Sequence, residues 1–89
     1  MTTIFDRYKL LIESEATDLK WLEDLTAIKT KRWQNIKYGQ AKLGAEEIEA
    51  LGSVYKEYAY WLTTGEELPE AGQISPMTKK AQRQLKKTP

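Results

Sequence analysis

Cysteine and histidine are both absent from this chain of 89 residues. Without cysteine, the chain can form no disulfide framework and no thiolate metal site. Without histidine, it lacks the commonest general base, the commonest metal ligand and a group that titrates near neutrality. A glycine-rich phosphate loop is missing as well, and the acidic clusters resemble exposed helix ends. We therefore expect no enzyme, no metal and no other cofactor.

Two further absences concern membranes and strands. No apolar run approaches the length of a membrane span, and the N-terminus has no signal-peptide core. We therefore expect no membrane contact and a location in the cytoplasm. No segment alternates apolar and polar residues over a strand length, and the dipeptides of tight hairpins are missing. An all-α fold is the remaining expectation.

Apolar residues instead recur at helical spacing. This spacing predicts helices over residues 4–14, 19–26, 30–37, 45–55 and 58–64. Leu22 and Leu25 are expected to face the core from the second helix, and Trp33 and Ile36 from the third. Residues 67–75 have the composition of a turn-rich linker, after which Ser75 can cap a short basic helix. Its short length suggests that this helix orders only against a partner or another subunit.

Positive charge is concentrated in one part of the chain. The whole chain has 14 lysines and arginines against 13 acids, yet residues 25–45 contain no acid. The five bases of that window are Lys29, Lys31, Arg32, Lys37 and Lys42. Because the predicted third helix also carries amide side chains, its surface suits a polyanion whose edges are read, as in duplex DNA.

Two linked segments carry a resemblance to a known family. Residues 21–39 resemble the helix-turn-helix of Cro/CI repressors, the xenobiotic-response-element type, with Gly39 at the family's glycine after the third helix. Residues 58–66 are similar to the family's closing helix and its Leu-Thr-Gly-Glu ending. The tail resembles small phage or prophage members. Ala27 stands where the family has glycine in the turn, and Leu19 where it often has glutamine.

The resemblance implies a five-helix, lambda-repressor-like helix-turn-helix bundle over residues 1–66. Residues 67–89 would form a linker and a basic C-terminal extension with a short helix. Carried over to this chain, the family pattern places four residues against bases in the major groove: Thr30, Lys31, Arg32 and Asn35. Five others are candidates for phosphate contacts: Lys29, Gln34, Lys37, Tyr38 and Lys42. Three are weaker candidates for a dimer contact: Tyr58, Ala59 and Tyr60.

Each of these assignments has an alternative. A run of charged residues is usually a solvated helix face, although the missing acids argue against that here. Trp33 and Trp61 could stack on unpaired bases, but their helical phase places them in the core. Packing within the chain explains the tyrosines of the last helix as well as a dimer contact does. The basic tail could contact DNA, extend a dimer or aid solubility.

The combined expectation is a sequence-specific transcriptional regulator that binds double-stranded DNA. It would act as a homodimeric repressor in a bacterial or phage-infected host cell and insert residues 30–37 into the major groove. A twofold dimer requires an approximately palindromic site with half-sites about one helical turn apart. Two alternatives stay open: a protein-interaction module that kept the bundle, with an unidentified protein partner, and a sequence-indifferent DNA-coating protein.

Overall fold

The structure, a computed structural model, describes residues 2–87 and the side chains of residues 2–85. Two of the predicted tail cations, Lys86 and Lys87, thus have side chains outside the described part, and residues 88–89 lie outside it altogether. The described residues form six α-helices: α1 Ile4–Ser14, α2 Leu19–Thr26, α3 Thr30–Lys37, α4 Ala45–Val54, α5 Ala59–Thr64 and α6 Pro76–Lys87. Single 3₁₀ turns, Lys56–Tyr58 and Pro69–Ala71, precede α5 and α6.

The all-α prediction is confirmed, and the observed bounds of α1, α2 and α3 are those that the sequence predicts. Local caps explain why α1 and α2 begin where they do. The hydroxyl of Thr3 accepts the N–H of Asp6 at 3.1 Å, and the Asp6 carboxylate accepts the N–H of Thr3 at 3.1 Å. Asp18 caps α2 by accepting the N–H of Lys20 at 3.0 Å. None of the helices in residues 2–87 is long and apolar enough to cross a membrane.

The core holds α3 against α1. The rings of Tyr8 and Trp33 are stacked with centroids 6.1 Å apart, and the Tyr8 hydroxyl donates to the Trp33 carbonyl at 3.0 Å. Trp33 and Ile36 are fully buried, as predicted, and so are Trp61 and Leu62 of α5 apart from a few per cent of their surface. Because the inward side of α3 is fixed by these contacts, its outward side is fixed as well.

One predicted core residue faces solvent instead. Leu25 is 56% exposed, whereas Leu22 of the same helix is fully buried. The inward side of this short helix is taken by Leu19 and Leu22, and Thr26, four residues after Leu22, is half-buried beside them. Thr26 stays there because its hydroxyl donates to the Leu22 carbonyl at 2.7 Å and accepts the Ile28 N–H at 3.2 Å. The prediction that Leu25 packs in the core is therefore wrong.

The end of the predicted linker, residues 73–75, packs against the bundle, whereas residues 68–72 are exposed. The side chain of Ile74 is buried in the core, and its N–H donates to the Glu57 carbonyl at 2.9 Å. The amide of Gln73 joins two further groups: it accepts the Tyr60 N–H at 2.9 Å and donates to the Lys56 carbonyl at 3.0 Å. Residues 67–75 thus position α6 on the bundle. The functional division at residue 66 stays a prediction.

The turn between α2 and α3 places Ala27 in the left-handed region, with φ 63° and ψ 8°. A side chain at such a φ destabilises the folded state by about 1–2 kcal/mol relative to glycine. The greater freedom of glycine in the unfolded chain partly offsets this difference. We expect Ala27→Gly to raise the free energy of unfolding by about 0.5–1 kcal/mol. Urea denaturation measures this change. Ala50→Gly, inside α4, is the matched control and is expected to lower the same free energy by about 1 kcal/mol; two losses of equal size would contradict the interpretation.

Candidate nucleic-acid interface

The outward side of α3 presents four polar side chains. Lys31, Gln34 and Tyr38 are exposed and Asn35 is half-buried, with Tyr38 at 69% exposure. Positions 31, 34, 35 and 38 follow the spacing of one helix face, and they lie opposite the buried indole and isoleucine. We call these four residues the α3 outer face. The structure thus brings together residues from both predicted groups, the base-reading and the phosphate-contacting one.

Thr30 holds the beginning of α3 against α2. Its N–H donates to Glu23 Oε1 at 2.6 Å, and its hydroxyl donates to the same oxygen at 2.9 Å. These two bonds, together with the bond from Lys20, lower the pKa of Glu23 to about 2. Glu23 therefore acts as the cap that α3 lacks at Lys29. The prediction that Thr30 faces the groove does not match this inward-directed hydroxyl.

Arg32 joins α3 to the start of α4. Its Nη2 donates to the Lys42 carbonyl at 2.9 Å and to Glu47 Oε1 at 3.1 Å. The same Glu47 oxygen accepts the Gly44 N–H at 2.8 Å, so this buried carboxylate caps α4 and anchors the guanidinium. The Arg32 side chain is 41% exposed. It therefore lies at the edge of the α3 outer face and has a structural role that the sequence did not indicate.

Removing this contact should destabilise the bundle. We expect Arg32→Ala to lower the free energy of unfolding by about 1–2 kcal/mol, because the buried carboxylate of Glu47 loses its cation; the partial exposure of Arg32 keeps the loss below that of a fully buried pair. A double-mutant cycle with Glu47→Ala, followed by urea denaturation, measures the coupling, which should be about 1 kcal/mol. Additive losses would show that the two side chains stabilise the fold independently.

The other predicted phosphate contacts surround the α3 outer face. Lys29 is exposed at the position before α3, Lys37 is half-buried in its last turn, and Lys42 is exposed in the following loop. That loop is tied back to α3, since the Asn35 carbonyl accepts the N–H groups of Gln40 and Ala41 at 2.8 and 3.2 Å. The lysines therefore border the same surface, although they extend from different segments.

Among the residues that the structure describes, carboxylates contact α3 only at its edges. Glu23 accepts hydrogen bonds from Thr30, and Glu47 accepts one from Arg32. Both acids lie outside the acid-free window of residues 25–45, and both position α3. Glu47 had a detectable signal, because it follows Gly44 by three residues, which is the spacing of a capping glutamate. No local sequence pattern indicates the role of Glu23, because its contact with Thr30 depends on how α2 and α3 cross.

The predicted dimer residues are not equally accessible. Tyr58 is almost completely buried; its ring packs against Tyr55 and Trp61 at centroid distances of 5.9 and 6.4 Å, and its hydroxyl donates to Glu15. Tyr58 therefore cannot offer its ring to a second copy, and this part of the prediction is wrong. Ala59 and Tyr60 are half-buried. Their predicted role in a dimer stays a prediction.

Comparison with known proteins gives a relative of almost the same length. No profile of a described family matches the chain, and no curated protein does so at a significant level. Among solved structures, the chain is similar to Pf6r from the filamentous phage Pf6 of Pseudomonas aeruginosa PA01. The two are 36% identical, the match covers 94% of this chain and 98% of Pf6r, and the TM-score is 0.81. With this identity over nearly the whole of both proteins, the chain belongs to the same protein family as Pf6r.

Proposed function

We propose that this chain is a sequence-specific regulator that binds duplex DNA as a homodimer and represses transcription by occluding a promoter. One observation carries the proposal: the α3 outer face presents a lysine, two amides and a tyrosine, while the opposite side of the helix is anchored in the core. A helix exposed in this way can enter a major groove, where lysine pairs with guanine and amides pair with adenine. The phage origin of Pf6r is in keeping with a phage or prophage regulator.

The geometry refines the roles within this proposal. Lys31, Gln34 and Asn35 are the residues we assign to base edges, because they lie on the outer face. Thr30 positions the helix through Glu23, and Arg32 contacts the DNA only with the part of its guanidinium that faces solvent. Tyr38 lies at the C-terminal end of the α3 outer face, and three lysines border it: Lys29, Lys37 and Lys42. These four residues can contact phosphates and fix the register.

Selection of bound sequences from a random duplex pool, followed by anisotropy titrations of the selected duplex, tests the proposal. We expect one approximately palindromic site, an affinity for it at least about 1,000-fold above that for random duplex, and an affinity that falls steeply with salt. A steep salt dependence without any preferred sequence would instead indicate a DNA-coating protein. The absence of binding at low salt would reject both.

One observation favours a second candidate function, a protein-interaction module. Trp21 is 43% exposed and Leu25 56%, and they lie four residues apart on α2. One side of the Trp21 ring packs against Tyr55 at a centroid distance of 6.3 Å. An exposed tryptophan beside an exposed leucine is typical of a protein contact. We expect this function, like the first, to be exerted in the cytoplasm and without catalysis. If the chain is a protein-interaction module, Trp21→Ala should abolish binding of the partner protein and leave any duplex binding unchanged.

A further inference from the structure

One side of α6 holds this helix to the rest of the bundle. At its beginning, the Ser75 hydroxyl accepts the Thr78 N–H at 3.3 Å and donates to Glu67 at 2.8 Å. Further along, Lys79 lies 3.9 Å from the Glu57 carboxylate and Arg83 lies 3.7 Å from the Glu15 carboxylate. Positions 79 and 83 are four residues apart, so both cations lie on the side that faces the bundle.

The side that faces away from these two carboxylates carries an apolar stripe, whose first residue, Met77, also borders the groove between α6 and α1. Met77, Ala81 and Leu85 are spaced by four residues, and Met77 is 61% exposed and Leu85 75%. Because each step of four residues turns a helix by about 40°, the three side chains form one narrow band. We call them the α6 stripe. Lys79 and Arg83 point in roughly the opposite direction, about 160° and 200° from Ala81, so the stripe itself is uncharged.

We infer that the α6 stripe is the surface through which two copies of this chain pair, with their α6 helices antiparallel about Ala81. The stripe is symmetric: Met77 and Leu85 each lie four residues from Ala81. A twofold axis at Ala81 therefore places Met77 against Leu85 of the partner subunit, and Leu85 against Met77 of the partner subunit. The small alanine at the axis lets the two helices approach closely. Such a contact is self-complementary and closes at two copies.

Two of the three described cations of α6, Lys79 and Arg83, are paired with Glu57 and Glu15 of their own chain, which favours a second copy over an anionic partner. These two point away from the stripe. The third, Lys80, is exposed about 100° from Ala81, on the flank of the stripe, so antiparallel pairing places none of the three within the seam. The side chains of residues 81–85 are exposed, and such a short helix is marginal in water unless something covers it. A second α6 supplies that cover.

The stripe is short, and this sets the strength of the contact. Three side chains from each copy bury less surface than the roughly 1,200–2,000 Å² that stable interfaces bury. We therefore expect a dissociation constant on the order of 10–100 μM for the free dimer. Two half-sites on one duplex would raise the effective concentration and complete the pairing. This inference rests on the homodimer of the proposed function and replaces Tyr58 as its predicted interface.

Sedimentation equilibrium of the full chain in the absence of DNA, from about 5 to 500 μM, tests the pairing. We expect a monomer–dimer equilibrium for the unmodified chain and association weakened at least about 10-fold in Leu85→Glu, since a carboxylate would be buried in the seam. Gln82→Glu is the matched control: it adds the same charge to an exposed position off the stripe, and its association should be unchanged. A monomer at all concentrations, or equal effects of the two variants, would overturn the inference.

Cross-linking locates the axis. The chain has no cysteine, so Ala81→Cys carries a single thiol, which diamide can oxidise to an intermolecular disulfide if the two Cα atoms come within about 7 Å. We expect rapid dimer formation by Ala81→Cys and little by Gln82→Cys. Equal rates would contradict pairing about Ala81. Because neither measurement includes DNA, pairing without duplex binding would reject only the proposed function, and duplex binding by a chain that never pairs would reject only this inference.

Discussion

Replacing Lys31 by glutamate should weaken duplex binding about 100-fold and leave the stability of the protein within about 0.5 kcal/mol of its original value. Lys31 is exposed at the centre of the α3 outer face. The substitution removes a cation that can pair with guanine or phosphate and places a carboxylate against the phosphate backbone, where charges repel. Anisotropy titrations against the selected duplex measure the affinity, and urea denaturation measures the stability.

Lys56→Glu separates a local effect from a change of overall charge. Lys56 is exposed in the 3₁₀ turn before α5, and the substitution changes the net charge by the same two units. We expect it to weaken binding less than about 3-fold, because exposed charges that are far from the DNA are screened by salt. Equal losses in the two variants would show that the α3 outer face has no special contact with the duplex. No loss in either would count against duplex binding altogether.

The part of the fold that the sequence predicts well is governed by local contacts. The beginnings of α1 and α2 follow from caps within a few residues, such as Thr3 with Asp6, and the bounds of α3 follow from the spacing of its apolar residues. The buried positions of Trp33 and Ile36 follow from the same spacing. Leu25 was misplaced because two helical turns define the inward direction poorly, and Thr26, which looks polar, takes the inward position through its bond to the backbone.

The site was predicted only in part, because the contacts that decide it connect distant residues. Lys31 and Gln34 are exposed, as a basic outer face requires. Thr30 and Arg32, however, are held by Glu23 and Glu47, which lie 7 and 15 residues away along the chain. Helical phase alone cannot indicate such pairs, since they depend on how α3 packs against α2 and the start of α4. The sequence therefore locates the surface, whereas the structure determines which side chains are free to read it.

Arg7 shows the same limit in the core. It stands on α1 beside Tyr8, on the side that faces inward, and its side chain is buried. The helical spacing of apolar residues does not indicate a buried cation. In the structure, its Nε donates to the Leu62 carbonyl at 2.8 Å and its Nη2 to the Thr63 carbonyl at 3.3 Å. Carbonyls at the C-terminal end of a helix lack partners within the helix, and a cation there also interacts favourably with the helix dipole.

Arg7→Met should therefore lower the free energy of unfolding by about 3 kcal/mol, which for a domain of this size corresponds to a fall in Tm of roughly 15 °C. Methionine retains most of the apolar stem but leaves the end of α5 without its donors, and it also removes the Nη1 bonds to the Thr2 carbonyl and hydroxyl at 2.8 and 3.0 Å. Lys9→Met is the matched control, because Lys9 is a cation on the same helix whose contact is with the Phe5 ring; its loss should stay below about 1 kcal/mol. Urea denaturation of both variants, with unchanged m values, measures the difference. Similar small losses would mean that desolvation of the guanidinium cancels what its hydrogen bonds contribute, and that α5 is held in place without Arg7.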